Sequence, residues 1–209
     1  YGTGYIFKGL SKKTDTGKAH KTNFGTTIGY ANLNHQIGFD IALGYLNNMA
    51  DVGAISNNLA NSYYYKRVGG LSLDADIMTG PFNFGYRYVS ALRRFSPLDF
   101  RWQRKPNSTR GAKPQAHSFV AGYAFKTKGK DSKINVGYQW SYEAHNVNSM
   151  LAASPLQLPK SRLFLTYAVQ LHQHIILAFE YDRDHDYPVQ NAGTNKFNNT
   201  ATIRLTLLS

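Results

Sequence analysis

The sequence predicts an all-β fold, an antiparallel transmembrane β-barrel of about ten strands, and three observations lead to this prediction. Apolar and polar residues alternate over segments of about ten residues along most of the chain, with the side-chain period of a β-strand. Short turns alternate with long connections. Charged residues make up only 17% of the 209 residues, against about 25% in ordinary soluble domains.

The alternation is clearest in segment 82–88, where an aromatic residue occupies every second position and an arginine lies between two of them. The aromatic residues are Phe82, Phe84, Tyr86 and Tyr88, and the arginine is Arg87. The same period predicts further strands at about 24–30, 37–45, 71–77, 119–125, 134–142, 163–171, 175–181 and 202–207. Each of these strands has one apolar and one polar face.

The connections fall into two length classes. Short turns are predicted near 31–35, 79–81, 127–132 and 172–173, and longer segments near 10–20, 47–64, 92–115, 146–160 and 183–198. In an antiparallel hairpin series this order places all long loops at one end, as in outer-membrane barrels. Residues 1–209 are therefore predicted to form a single barrel domain in the bacterial outer membrane, with ten to twelve strands or as part of a larger barrel. A soluble β-domain that binds polysaccharide or a protein partner is the alternative.

The orientation of the two faces distinguishes these alternatives. Nine tyrosines lie on the apolar side of the predicted strands, and in a soluble core each hydroxyl would need a buried partner. At the two boundaries of a bilayer the same tyrosines would form an aromatic girdle. We therefore expect the apolar face to contact lipid and the polar face to line the lumen. The predicted lumen-facing charged residues are Asp40, Asp74, Asp76, Arg87, Glu143, Glu180 and Arg204.

Several motifs in the second half of the chain resemble a known family. They are GPFNFGYRYVSAL at 80–92, KPQAHSFVAGYAF at 113–125, INVGYQWSYEA at 134–144, LPKSR at 158–162, LAFEYDRDHDY at 177–187 and GTNKFNNTATIRL at 193–205. In this order and spacing they are similar to the C-terminal part of the LbtU family of siderophore porins. The resemblance implies an outer-membrane barrel in a Gram-negative bacterium, an additional N-terminal periplasmic portion, and iron transport as an iron–siderophore complex without a plug domain.

The segment 92–115 is the most basic part of a chain whose net charge is +12. A basic loop at a channel mouth would raise the local concentration of an anionic solute such as a ferric siderophore, and Trp102 and Phe100 could stack on it. Alternatively, the cations bind phosphates of lipopolysaccharide or remain solvated. Nucleic-acid binding lacks a supporting motif. The predicted anion-attracting residues are Arg93, Arg94, Arg101, Trp102, Arg104, Lys105 and Arg110.

Metal and catalytic sites are not predicted. Asp182, Asp184, His185 and Asp186 are clustered but lack the spacing and the glycine of a calcium loop. His172 and His174 lack a third ligand nearby, and no serine has the spacing of a catalytic group. The sequence contains no cysteine, which excludes thiolate chemistry. We expect a protein that is not an enzyme and has no cofactor.

Two functions remain open from the sequence. The chain could form a barrel that takes up a small solute, with an iron–siderophore complex as the solute that the resemblance implies. Alternatively, it could form a general or structural outer-membrane barrel whose lumen is filled by side chains and whose loops bind partners. A closed barrel of ten strands would be narrow, because about eight strands already leave an interior that side chains fill.

Overall fold

The computed structural model of the chain describes residues 1–9, 12–13, 22–33, 36–56, 63–102, 110–148, 156–191 and 193–207. Within these ranges the protein is almost entirely β-structure. Its helical parts are one α-helical turn, α1 (Gly53–Ser56), and two 3₁₀ turns at Met49–Asp51 and Val189–Asn191. In the described ranges, no helix has the length and apolar character needed to cross a membrane.

Ten long strands form one antiparallel sheet, the main sheet. In chain order the strands are β1 (Gly2–Phe7), β2 (Lys12–Lys13), β3 (Asn23–Asn32), β4 (Ile37–Leu46), β5 (Tyr63–Tyr64), β6 (Gly70–Thr79), β7 (Phe82–Ala91), β8 (Arg101–Trp102), β9 (Gln115–Thr127), β10 (Lys130–Tyr142), β11 (His145–Asn148), β12 (Leu156–Gln157), β13 (Ser161–His172), β14 (Ile175–His185) and β15 (Phe197–Leu207). The main sheet has the order β1-β3-β4-β6-β7-β9-β10-β13-β14-β15. It is a meander in chain order, which confirms the prediction of an all-β fold with about ten strands.

The connections between the long strands follow the predicted alternation. The described residues of the short connections 33–36, 80–81, 128–129 and 173–174 lie at one end of the main sheet, which we call the turn end. The described residues of the longer connections 8–22, 47–69, 92–114, 143–160 and 186–196 lie at the other end, the loop end. Lys128 and Gly129 both have positive φ values, 49° and 78°. Two such residues give a hairpin turn whose twist matches that of the strands.

The main sheet is open at both edges. Within the described residues, β1 pairs only with β3 and β15 pairs only with β14. The sheet is not closed, so the predicted barrel is not confirmed. The first and last strands nevertheless run in opposite directions, because the meander contains an even number of antiparallel strands.

One face of the main sheet is apolar and uncovered. Ile203 is 70% exposed, and even Phe179, in the neighbouring strand, is 42% exposed. Soluble monomers rarely expose a contiguous apolar patch of more than a few hundred Å². We call this surface the apolar face, and its exposed members include Ile28, Tyr30, Ile41, Leu43, Phe84, Phe119, Val136, Tyr138, Leu163, Leu165, Phe179, Ile203 and Leu205.

A buried apolar cluster of the described residues lies in the long connections, apart from Ala91 at the end of β7. We call the described residues of 47–69, 92–114, 143–160 and 186–196 the loop cap. Two small sheets belong to the loop end, one of β12, β11 and β8 and one in which β2 pairs with β5 in parallel. The alternation did not predict this cluster. Its residues are Ala50, Ile55, Tyr64, Val68, Ala91, Phe95, Phe100, Trp102, Ala112 and Tyr187.

Candidate functional site

The polar face of the main sheet carries a row of directly paired polar residues that crosses seven strands. Residues that oppose each other in antiparallel strands lie on the same face and close together. The row therefore brings together side chains that are far apart in the sequence. We call it the polar row, and it consists of Asp74, Arg87, Ser118, Gln139, Arg162, Asp184 and Asn198.

Ion pairs hold both guanidinium groups of the polar row. Arg87 contacts Asp74 at 2.7 Å and Asp76 at 2.6 Å. Arg162 binds Asp184 through two hydrogen bonds of 2.6 and 2.8 Å. The Arg87 pairs are about half exposed, so they contribute little to stability individually. These ion pairs hold the arginine side chains against the polar face of the main sheet.

Six of the seven charged residues predicted to line the lumen lie on the polar face of the main sheet. The registers connect Asp40 to Asp76 and connect Asp74 to Arg87. Glu180 lies in the same strand and on the same face as Asp184, and Arg204 lies on that face of the neighbouring strand β15. Among the described residues of this face, carboxylates outnumber cations. The carboxylates are those of Asp40, Asp74, Asp76, Asp131, Glu180, Asp182 and Asp184, and the cations are Arg87, Lys126, Lys133, Arg162 and Arg204.

Aromatic side chains also occupy the polar face, where the sequence pattern did not predict them. Phe164 lies over Gly137, and a Cβ atom on Gly137 would overlap the Phe164 ring. Tyr1 lies over Gly29 in the same way, and its hydroxyl donates to Asp40 at 2.7 Å. A glycine in one strand thus provides room for a ring from the next strand, which fixes the register of the pair.

Glu143, the seventh predicted lumen residue, lies beyond the end of β10, where it binds the loop cap. It accepts hydrogen bonds from Arg94 at 2.5 and 3.0 Å, from Arg110 at 3.0 Å and from the backbone N–H of Lys113 at 2.7 Å. The expectation for Glu143 is therefore corrected. It pairs with two of the arginines that were predicted to attract an anion, because the loop cap folds back over the end of β10.

The other predicted residues of the basic segment have different positions. Arg93 donates two hydrogen bonds to the backbone carbonyl of Arg67. Trp102 is only 6% exposed and packs edge-on against Tyr187, with ring centroids 5.8 Å apart. Phe100 is also buried, so neither ring offers the predicted stacking surface. Arg101 belongs to β8, whereas Arg104 and Lys105 lie outside the described residues.

Asp99 is a buried carboxylate at the centre of the loop cap. Its two carboxylate oxygens accept hydrogen bonds from the backbone N–H groups of Tyr65 at 2.7 Å and Lys66 at 3.1 Å. Burial raises the pKa of Asp99 above its ordinary value, and the hydrogen bonds from the backbone N–H groups act in the opposite direction. Asp99 therefore joins the connections 47–69 and 92–114, a role that the sequence did not reveal.

Tyr187 joins the loop cap to the end of β10. Its hydroxyl lies 2.8 Å from the Ser141 hydroxyl and accepts from the backbone N–H of Ala144 at 3.4 Å. Burial raises the pKa of Tyr187. Since Ser141 lies on the polar face, next to Gln139 in the polar row, the loop cap sits over the polar face at the loop end and not over the apolar face.

Two adjoining cavities lie where the loop cap meets the polar face. The first, of about 350 Å³, is lined by part of the polar row, including Asp74, Arg87, Gln139 and Arg162. The second, of about 240 Å³, is lined mostly by apolar residues of the loop cap. The two cavities share three lining residues, Val89, Ala116 and Leu158.

The acidic segment 182–186 is used in ion pairs and turns. Asp184 and Asp182 face Arg162, and Asp186 accepts hydrogen bonds from the backbone N–H groups of Tyr187 and Thr194. The rings of His172 and His174 lie 6.3 Å apart at the turn end. Within the described ranges, no group of three or more potential metal ligands comes together.

Comparison with known proteins gives distant relatives. No protein-family model matches the chain. A UPF0422 protein of Coxiella burnetii is 29% identical over 197 residues, which cover 91% of this chain and 39% of that protein. A UPF0422 protein of Legionella pneumophila strain Philadelphia 1 is 24% identical over 210 residues, or 87% of this chain and 37% of the relative. The chain thus spans well under half the length of the curated relatives it matches, and the name UPF0422 states no activity.

Proposed function

We propose that the main sheet is part of the wall of an outer-membrane β-barrel that takes up a small solute. One observation carries the proposal: ten consecutive strands expose an apolar face on one side and a charged face on the other. Burial of apolar area is worth about 25 cal/mol per Å². An uncovered face of this size is therefore costly in water, whereas contact with hydrocarbon would remove the cost.

In a membrane, the two open edges of the main sheet would also have to be paired. Backbone N–H and C=O groups without partners cost several kcal/mol each in hydrocarbon, so membrane-spanning sheets close. Because β1 and β15 run in opposite directions, they could pair with each other. They could also flank further strands, since the relatives are more than twice as long as the matched region. We propose that the sheet closes into a barrel by one of these two routes.

The resemblance to the LbtU family supports an iron–siderophore complex as the solute. Part of the predicted basic patch remains consistent with an anionic solute, because Arg93 is exposed at the loop end. Arg94 and Arg110 support it less, since both contact Glu143. The polar face also carries more carboxylates than cations, so we assign anion attraction to the loops alone.

A barrel with a filled lumen is the second candidate function. The loop cap, which has its own buried core and packs over the polar face, favours this candidate. The ion pairs of the polar row favour it as well, because paired side chains fill space on the wall. Such a barrel would act through its loops, with lipopolysaccharide or another cell-surface molecule as partner.

Conductance in planar lipid bilayers tests the two candidates against each other. The full-length protein should give defined conductance steps if the proposed uptake function is correct. A correctly inserted protein that gives no conductance would reject the open pathway and favour the filled barrel. Insertion is verified independently by flotation of the protein with lipid vesicles.

Binding of ferric citrate labelled with radioactive iron tests the anionic-solute part. Replacing Arg93 and Arg101 with Ser should weaken binding, because both changes remove loop cations and leave the Arg94–Glu143 pair in place. The matched control replaces Lys126 and Lys128, which lie at the turn end. Equal binding by both double variants would remove the basic loop from the mechanism.

A further inference from the structure

The two cavities at the loop end adjoin, and only the first, the polar cavity, includes charged residues in its lining, beside apolar ones such as Trp140 and Pro159. Val89 and Ala116 pair with each other in β7 and β9, and both lie on the polar face. Each of them lines both cavities, as does Leu158 from the loop cap. A molecule of modest size could therefore touch both cavities at once, with its two ends in different surroundings.

The apolar cavity has lining side chains that remain partly open to water. Val52 is 38% exposed, Val89 44% and Leu158 44%, although Ile55 and Phe100 beside them are buried. Covering such side chains with an apolar group is favourable in proportion to the area removed from water. Ligand sites are commonly built in this way, as apolar clefts with a few polar groups that fix orientation.

The polar cavity offers hydrogen bonds, and both of its guanidinium groups are paired with carboxylates. Its guanidinium groups, from Arg87 and Arg162, each contact carboxylates at less than 3 Å. The neutral groups of Ser118 and Gln139 lie between them in the polar row. A ligand group with a full charge would compete with these pairs, whereas a hydroxyl or amide could bind beside them.

We infer that the two cavities form one binding site for a small amphipathic solute with a neutral head. The apolar end lies among Val52, Ile55 and Val89, and the head binds Ser118 and Gln139 of the polar row. The inference rests on the proposed function for the biological role of this solute, as the cargo that enters the barrel. The cavities themselves do not depend on transport.

Protection of an engineered thiol tests the site. The 209 residues contain no cysteine, so once any cysteine outside them is replaced by serine, Val89→Cys provides a single thiol where the two cavities meet. The full-length variant, in lipid nanodiscs, is treated with a water-soluble methanethiosulfonate, and the modification rate is measured with increasing 1-hexanol. We expect 1-hexanol to slow the modification of the thiol. The diol 1,6-hexanediol lacks an apolar end, so it should need an about tenfold higher concentration for the same protection, which corresponds to about 1.4 kcal/mol of lost apolar contact.

Two controls make the result specific. In Thr202→Cys the thiol lies on the polar face far from the loop cap, and 1-hexanol should leave its rate unchanged. In Val89→Cys with Ala116→Leu the apolar cavity is partly filled, and protection should weaken. If that double variant fails to fold, the comparison of the two alcohols with Val89→Cys alone still decides.

Three results would each contradict a different part of the two proposals. Equal protection by both alcohols, or none by either, would overturn the apolar half of the site. Stronger protection by hexanoate than by 1-hexanol would overturn the neutral head. Protection in a protein that inserts but never conducts would reject the uptake function and leave the binding site intact.

Discussion

Glu143 shows how one carboxylate can connect a strand to the loops above it. Its side chain is 17% exposed and contacts two guanidinium groups from the connection 92–114. The Arg94 and Arg110 side chains are 37% and 51% exposed, so removal of the Glu143 charge leaves two partly hydrated guanidinium groups without their partner. The stability of the loop cap should therefore depend on Glu143 more than on any exposed ion pair at the turn end.

Glu143→Gln should destabilise the loop cap by about 1–3 kcal/mol, since the charge that holds Arg94 and Arg110 is lost. In a Trp140→Phe background Trp102 is the remaining tryptophan, so its emission in urea reports on the loop cap. The control is Asp131→Asn, which removes a 3.7 Å pair with Lys126 whose side chains are both 73% exposed. Equal shifts of the urea midpoint in the two variants would contradict the role of Glu143.

Asp99 should make the stability of the loop cap depend on pH. Its pKa is raised in the folded state, so the folded protein binds more protons than the unfolded one just above the ordinary aspartate pKa. The contribution of Asp99 is thus fully present below that ordinary pKa and is lost as the pH rises through the folded-state pKa. Asp99→Asn should abolish this part of the pH dependence in the same urea assay, and parallel pH profiles of the two proteins would argue against it.

At the scale of the elements, the sequence predicted the strands well and their surroundings only partly. Alternation placed the long strands and their turns, because the period of two is a property of each strand alone. Alternation does not explain why an aromatic residue, Phe164, lies on the polar face, because the room for its ring comes from Gly137 in another strand. The two-residue strands such as β8 were also missed, because segments so short contain no period to read.

Neighbouring positions in β13 should respond in opposite ways to the same substitution. Leu165 is exposed on the apolar face and Thr166 lies on the polar face, opposite Asn135 and Glu180. An arginine on a lipid-facing position near the bilayer centre costs about 2–4 kcal/mol. Leu165→Arg should therefore reduce folding into lipid vesicles, measured by the fraction that resists SDS unfolding without heating, while Thr166→Arg folds nearly as well as the parent. Similar yields for both variants would indicate that the apolar face does not contact lipid.

For the whole molecule, the open edges lead to a prediction about hydrogen exchange. In the full-length protein embedded in a bilayer, the backbone amides of β1 and β15 should exchange about as slowly as those of β4 and β13, because the proposed barrel pairs both edges. Mass spectrometry of deuterated peptides measures this directly. Rapid exchange confined to β1 and β15 would show that the sheet stays open, and the proposed barrel would then be wrong.

The sequence by itself determined the all-β class, the ten-strand meander, the loop and turn ends, and the chemical character of the two faces. These properties follow from side-chain alternation and turn residues, which act within a strand or between adjacent ones. Only the tertiary structure decided that the described residues of the connections form a partly buried cap. It also decided that Glu143 pairs with Arg94, which is 49 residues away in the sequence, and that Tyr187 contacts Ser141, which is 46 residues away. Such contacts depend on which distant segments come close in the folded protein, and the local alternation of side chains contains no information about this.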